Sequence, residues 1–66
     1  MLSARNQFEG TVKEINQDGI MAEVVVTVGD VEVVSVITRA SLMRMRIAVG
    51  DKVRAVVKST DVMIDK

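Results

Sequence analysis

The chain has 66 residues, of which 48% are hydrophobic, and its nine basic side chains balance nine acidic ones. Because it contains no His and no Cys, thiolate nucleophiles, histidine general bases, zinc fingers, iron–sulfur sites and disulfides are all excluded. The lack of disulfides and of a secretory h-region predicts an intracellular protein. Its apolar runs are too short to span a bilayer, and its zero net charge does not favour nucleic-acid binding through many phosphate contacts.

The first predicted strand has one apolar face. Phe8, Gly10 and Val12 alternate with polar residues, which predicts a strand with Phe8 in the core. The alternation changes phase at Ile15, so a bulge or sharp bend is expected near residues 13–15. The segment Gln17-Asp18-Gly19 then predicts a hairpin turn, because Asp-Gly supplies the positive φ angles that such turns need.

Two further strands are predicted over residues 20–28 and 31–38, separated by a turn at Gly29-Asp30. One face of the second strand is wholly apolar and consists of Ile20, Ala22, Val24, Val26 and Val28. The opposite faces of the two strands are partly apolar too, with Met21, Val25, Val34 and Val36. Closing the sheet buries only one face, so a second subunit is expected to cover the other.

The C-terminal part of the chain completes an all-β pattern. Residues 39–47 are rich in helix formers and predict a short helix with Thr38 as its N-cap. A turn at Val49-Gly50-Asp51 precedes a fourth predicted strand over residues 52–58 and a short fifth strand over residues 61–65. We therefore expect one domain, residues 1–66, folded as a five-stranded OB-type barrel with one short helix between strands 3 and 4.

We expect the chain to self-associate because it is short. A chain of about 60 residues buries only about 60% of the surface that its unfolded form exposes, and the usual remedies are disulfides, a structural metal or oligomerisation. Charge is also unevenly distributed, with two basic and six acidic residues over 1–38 and seven basic and three acidic residues over 39–66. This asymmetry fits head-to-tail contacts or attraction of a small anion, but from charge alone an unevenly charged, solvated surface is the preferred interpretation.

Two polar segments lie outside the strand pattern: Ser3-Ala4-Arg5-Asn6 and Lys58-Ser59-Thr60. Both concentrate hydrogen-bond donors, and successive backbone N–H groups in a turn can form an anion-binding concavity. The start of the helix after Thr38 is a third donor-rich feature. Each has a plain structural alternative, namely a frayed chain start, a strand bend and a helix cap. No side chains show the spacing of a nucleophile and its base, so we do not expect an enzyme.

These segments resemble the molbindins, the molybdate-binding Mop or TOBE-type domains. The resemblance begins at Ser-Ala-Arg-Asn-Gln and extends over essentially the whole chain, through Ala22-Glu23-Val24, Val36-Ile37-Thr38 with Ser41, Val49-Gly50-Asp51-Lys52-Val53, and residues 56–64. One departure lies in the helix, where Met43, Met45 and Ile47 stand at positions that are more usually leucine.

The resemblance implies OB-type barrels assembled as a hexamer, a trimer of dimers, that hold tetrahedral oxyanions between subunits. The matching oxyanion-binding positions are Ser3, Arg5, Asn6, Thr38, Lys58 and Ser59, followed by Ser41 and then Ser35. No catalytic residue, cofactor or directly coordinated metal cation is implied. The expected function is cytoplasmic binding and storage or buffering of molybdate or tungstate, with no nucleic-acid or membrane partner. Both ions are dianions whose oxygens only accept hydrogen bonds, so a site made only of donors suits them.

Two functions of other classes remain open. One is an OB-type homo-oligomeric scaffold whose donors only satisfy subunit contacts. The other is a small nucleic-acid-binding OB protein, which the single aromatic residue disfavours because such proteins stack bases on aromatic side chains. A fragment of a larger transporter or regulator is also conceivable, although Met1 and the polar end at Lys66 suit a complete chain.

Overall fold

The computed structural model describes residues 5–66, which form one antiparallel sheet and one short helix. In chain order the elements are β1 (Asn6–Asp18), β2 (Met21–Val28), β3 (Val31–Thr38), α1 (Arg39–Arg44), β4 (Lys52–Val57) and a 3₁₀ turn (Ser59–Asp61). The strand order is β3-β2-β1-β4. The long β1 is therefore central: its first half pairs with β4 and its second half pairs with β2, which gives a curled half-barrel.

The bulge expected in β1 is confirmed. The β1–β2 register shifts between Val12 and Glu14, so Lys13 has no partner on β2. Because of this extra residue, Ile15 faces inward after Val12 and the strand continues to Asp18 without a break. On the outer face, Lys13 reaches across β2 to form an ion pair with Glu32 on β3. The hydrogen bond from Lys13 to Glu32, and the charge of that carboxylate, raise the pKa of Lys13.

The core lies inside the curl of the sheet. Its buried members come from β1, β2 and α1, and they are Val12, Ala22, Val24, Val26 and Leu42. The alternation predicted for the second strand is confirmed for Ala22, Val24 and Val26, with two exceptions: Val25, on the opposite face, is also buried, and Ile20 is not. Ile20 was expected on the core face, but it lies in the hairpin turn and is 81% exposed.

The helix is shorter than the sequence pattern indicates, ending at Arg44 and not at residue 47. Arg46 adopts a left-handed conformation with φ of 54°. Its N–H bonds the Met43 carbonyl at 3.1 Å, and the Ile47 N–H bonds the Leu42 carbonyl at 3.2 Å, which is the Schellman arrangement that ends a helix. No helix within residues 5–66 is long and apolar enough to cross a membrane.

The prediction of a fifth strand over residues 61–65 is wrong. Residues 59–61 form a 3₁₀ turn, and residues 62–66 pair with no strand in the described part of the chain. Among residues 5–66 no strand pairs with both edge strands β3 and β4, and a cleft of about 680 Å³ is open between their inner faces. Phe8 was expected in the core, but it is 44% exposed, so its predicted burial is wrong.

Candidate functional site

Pairing of β1 with β4 brings the two polar motifs together. Asn6 is the first residue of β1 and lies opposite Val57, the last residue of β4. Arg5 and Lys58 therefore continue from the same end of this strand pair, and both are exposed. Asn6 itself is half-buried. Ser3, the remaining predicted member of the N-terminal motif, lies outside the described residues.

The chain after β4 turns so that backbone N–H groups are available. Lys58 caps the 3₁₀ turn in an extended conformation, and its ammonium group makes no capping hydrogen bond. The turn is closed by a bond from the Asp61 N–H to the Lys58 carbonyl at 2.9 Å. The first N–H groups of such a turn, those of Ser59 and Thr60, have no carbonyl within the turn to bond. Together with the Lys58 ammonium, they form a cluster of donors suited to an anion.

A second group of donors lies at the start of α1. The Thr38 hydroxyl accepts a hydrogen bond from the Ser41 N–H at 3.1 Å, as expected for an N-cap, and donates to the Ser41 hydroxyl oxygen at 2.9 Å. The Thr38 proton is therefore used within the cap. The Ser41 hydroxyl keeps its own proton and is the group that can donate to an external partner. This chain of hydroxyls was not foreseen, although the three-residue spacing of Thr38 and Ser41 was its signal.

The two groups of donors do not meet within one chain. Asn6 begins β1, whereas Thr38 lies opposite Met21, beside the turn where β1 ends at Asp18. The whole of β1, 13 residues, thus separates the motif pair from the helix cap. Ser35 belongs to neither group, because it lies on β3 opposite the buried Val24 and lines the apolar cleft.

A polar cleft of about 610 Å³ is a further concavity that the sequence analysis did not single out. Its charged lining consists of Glu9, Lys52 and Arg54. Arg54 donates to the Gln7 amide oxygen at 2.9 Å and lies opposite Glu9 across the β1–β4 pair, so charges of both signs line this cleft. In the sequence, the signal for this cleft was the alternation of basic residues along β4. A cleft that includes a carboxylate is a poorer anion site than the donor-only motif pair.

Metal coordination by the protein has no support within residues 5–66. No group of three or more His, Cys, Asp or Glu side chains in that range is placed to hold a metal ion. The site residues described above offer hydrogen-bond donors to a bound anion. They do not form a cluster of ligands for a cation.

The TOBE domain family model matches residues 2–64 of the chain. Molybdenum-pterin-binding protein 3 of Clostridium pasteurianum is 41% identical over 64 residues, which cover 96% of this chain and 94% of that protein. The molybdenum transport protein ModE of Azotobacter vinelandii is 41% identical over 63 residues, and the chain spans 23% of that longer protein.

The similar solved structures are also those of molybdate-binding proteins. A molybdate-binding protein from Sporomusa ovata superimposes with a TM-score of 0.96 at 39% identity, covering 100% of this chain and 98% of that one. The cytoplasmic molybdate-binding protein ModG, in a form with molybdate bound, gives a TM-score of 0.85 at 33% identity and covers 89% of this chain and 43% of that one.

Proposed function

Because this chain belongs to the TOBE domain family, we propose that it binds molybdate or tungstate and stores or buffers the ion without acting on it chemically. Its relatives of matching length are named for binding molybdenum-pterin or molybdate, which supports a binding role. We place the protein in the cytoplasm, as its neighbour ModG is described, and we treat residues 1–66 as one molbindin-like domain.

The observation that carries the proposal is the convergence of the two polar motifs at one end of the β1–β4 pair. Arg5, Asn6, Lys58 and Ser59 bring a guanidinium, an amide, an ammonium, a hydroxyl and backbone N–H groups to this end. Net hydrogen bonds to a charged group contribute about 1.5–3 kcal/mol each, so a few of them hold a dianion firmly. Ser3 is included because it belongs to the same motif in the sequence.

The binding sites in this proposal lie between subunits. Ser41 and Thr38 are separated from the motif pair by the whole length of β1, so a single chain cannot close all these donors around one ion. A neighbouring copy that supplies the missing group would complete the site. Ligand binding and assembly would then stabilise each other, because the ion binds only the assembled form.

Unsatisfied apolar surface supports a homo-oligomer, which we propose to be a hexamer built as a trimer of dimers. The cleft between β3 and β4 is open and largely apolar, and Phe8 is exposed beside β4. Met63 and Ile64 in the C-terminal segment are 92% and 89% exposed. A chain this short gains stability by burying such surfaces against other copies of itself.

Isothermal titration calorimetry with molybdate, tungstate, sulfate and phosphate tests the proposal. Molybdate and tungstate should bind at least about tenfold more tightly than sulfate, because the cavity must fit the larger ion. Phosphate should bind weakly, since at neutral pH it carries a proton that finds no acceptor in a donor-only site. Equal binding of molybdate and sulfate would refute a specific oxyanion function.

A further inference from the structure

The inner cleft between β3 and β4 is the place where the core of the half-barrel lacks cover. Five consecutive residues of each edge strand line it, 33–37 on β3 and 53–57 on β4, and the lining is largely apolar. Val24 and Val26 on β2 are buried, whereas the inward-facing residues of both edge strands are only half-buried. The cleft therefore exposes core surface that a further apolar segment would cover.

The backbone on both sides of the cleft also lacks a strand partner. In the order β3-β2-β1-β4, β3 and β4 are the two edges, so each has one row of N–H and C=O groups that no strand pairs with inside residues 5–66. Such an edge pairs readily with another chain unless charge, proline or a covering loop blocks it. Residues 33–37 of β3 include no charged residue and no proline. An extended segment placed here would gain hydrogen bonds as well as apolar contacts.

The C-terminal segment, residues 62–66, has the length and the pattern that suit this cleft. Its five residues equal the stretch that each edge strand contributes to the lining. It begins with Val62 in an extended conformation, with φ of −93° and ψ of 121°. In a strand, Val62 and Ile64 lie on one side and Met63 and Asp65 on the other. One side of the segment is therefore wholly apolar.

The segment does not fill the cleft of its own chain. The 3₁₀ turn that precedes it is closed by the bond from the Asp61 N–H to the Lys58 carbonyl, and Ile64 beyond the turn is 89% exposed. The segment nevertheless leaves the chain close to the cleft, because Val57, the last residue of β4, lines it. The donating and the accepting surface thus adjoin each other.

We infer that the C-terminal segment of one chain occupies the inner cleft of a second copy. Val62 and Ile64 contact the apolar lining, and the backbone of the segment lies along the free strand edges. Because both surfaces adjoin in one chain, two copies exchange their segments about a two-fold axis, and the contact forms twice. The inference rests on the self-association proposed above but not on the identity of the ion.

The variant Ile64→Lys tests this contact by sedimentation velocity. Because Ile64 is almost fully exposed within its own chain, the substitution should leave the fold of that chain intact, which circular dichroism checks. It should still weaken association about tenfold or more, since the apolar side chain is buried only in the assembly. The matched control is Met63→Lys, which adds the same charge at a position that is 92% exposed and faces away from the cleft. It should sediment like the wild type.

An engineered cysteine pair shows which copy receives the segment, because the chain has no cysteine of its own. Ala55 lies in the middle of the β4 stretch that lines the cleft. Under mild oxidation the variant A55C/I64C should form disulfide-linked dimers, and the control A55C/M63C should form them much more slowly. Mass spectrometry of the oxidised chains separates a bond between two copies from one within a single copy.

Equal sedimentation of the two lysine variants would overturn the exchange alone, and so would an intramolecular disulfide, or none, in A55C/I64C. If Ile64→Lys has not folded, the cysteine pair decides. A wild-type chain that sediments as a monomer would overturn the proposed self-association as well.

Discussion

Gly10 shows how a missing side chain lets β1 lie close to β2. A Cβ atom at this position would lie 2.5 Å from the Thr27 carbonyl oxygen and 2.7 Å from a Val26 methyl group. A backbone oxygen cannot move away cheaply, so β1 would have to shift. The missing side chain therefore permits the close packing of β1 against β2 at this position.

We predict that Gly10→Ala lowers the free energy of unfolding by about 2 kcal/mol, because overpacking typically costs about 1–3 kcal/mol. Urea unfolding followed by circular dichroism measures the change. Glu9→Ala, at the exposed neighbouring position, serves as the control and should change stability by less than about 0.5 kcal/mol. A Gly10→Ala chain as stable as the wild type would show that the sheet accommodates the methyl group.

Arg46 carries a conformational cost that glycine would not. A left-handed conformation costs a residue with a side chain about 1–2 kcal/mol, so Arg46→Gly should raise the free energy of unfolding by about 1 kcal/mol. The matched substitution Arg44→Gly lies within α1 and should lower it by about 1 kcal/mol. Both are measured by chemical denaturation at a concentration where assembly is unchanged. Destabilisation by Arg46→Gly would mean that contacts of this side chain outweigh the backbone cost.

Lys58 is the residue that we expect to matter most for the anion, because it is exposed and brings a full positive charge to the end of the β1–β4 pair where the two polar motifs meet. Lys58→Ala should weaken molybdate binding by about tenfold or more, as expected for loss of one charged hydrogen bond, while the oligomer persists. Lys52→Ala, at the opposite end of β4, should bind as the wild type does. Calorimetry measures both. Unchanged affinity in the Lys58 variant would remove this residue from the site.

At the scale of elements, the cap of α1 joins stability to binding. Thr38→Ala removes the bond from the Ser41 N–H and should cost about 1 kcal/mol of stability, whereas Thr38→Ser keeps the hydroxyl and should cost little. The alanine variant should also weaken oxyanion binding, since Ser41 loses the partner that orients its hydroxyl. Thermal unfolding and calorimetry on the two variants separate these effects. Equal stability of both variants would exclude the capping role.

The elements that the sequence predicted correctly are those governed by local chemistry. The Gly29-Asp30 turn and the bulge near Lys13 follow from neighbouring residues. The first hairpin turn was predicted one residue too early, because Asp18 remains in β1 and the turn is formed by Gly19, which has the positive φ, and Ile20. The fifth strand failed because alternation of Val62 and Ile64 specifies a shape but supplies no pairing partner. Phe8 was also misplaced, because alternation assigns a residue to one face of a strand but does not fix how deeply it is buried there.

At the scale of the molecule, the site could be predicted only through the family resemblance. Proximity of Arg5 to Lys58 depends on antiparallel pairing of the first and fourth strands, which no local pattern specifies. Distribution of the donors between two ends of β1 could not be read from the sequence either. It is a consequence of the three-dimensional register, and it makes a second chain part of the binding hypothesis.

The half-barrel leaves surfaces that a lone chain of this size cannot hide. Its inner cleft and its exposed C-terminal segment are the surfaces on which we propose contacts with further copies. In this account the assembly and the ion depend on each other, so the oligomer should be more heat-stable with molybdate present than without it.

Native mass spectrometry of the chain with a small excess of molybdate tests this dependence most directly. The account predicts an oligomer, a hexamer in our proposal, that carries a defined number of bound molybdate ions and does not retain sulfate under the same conditions. A monomer without added mass, or an oligomer that holds molybdate and sulfate equally, would contradict it.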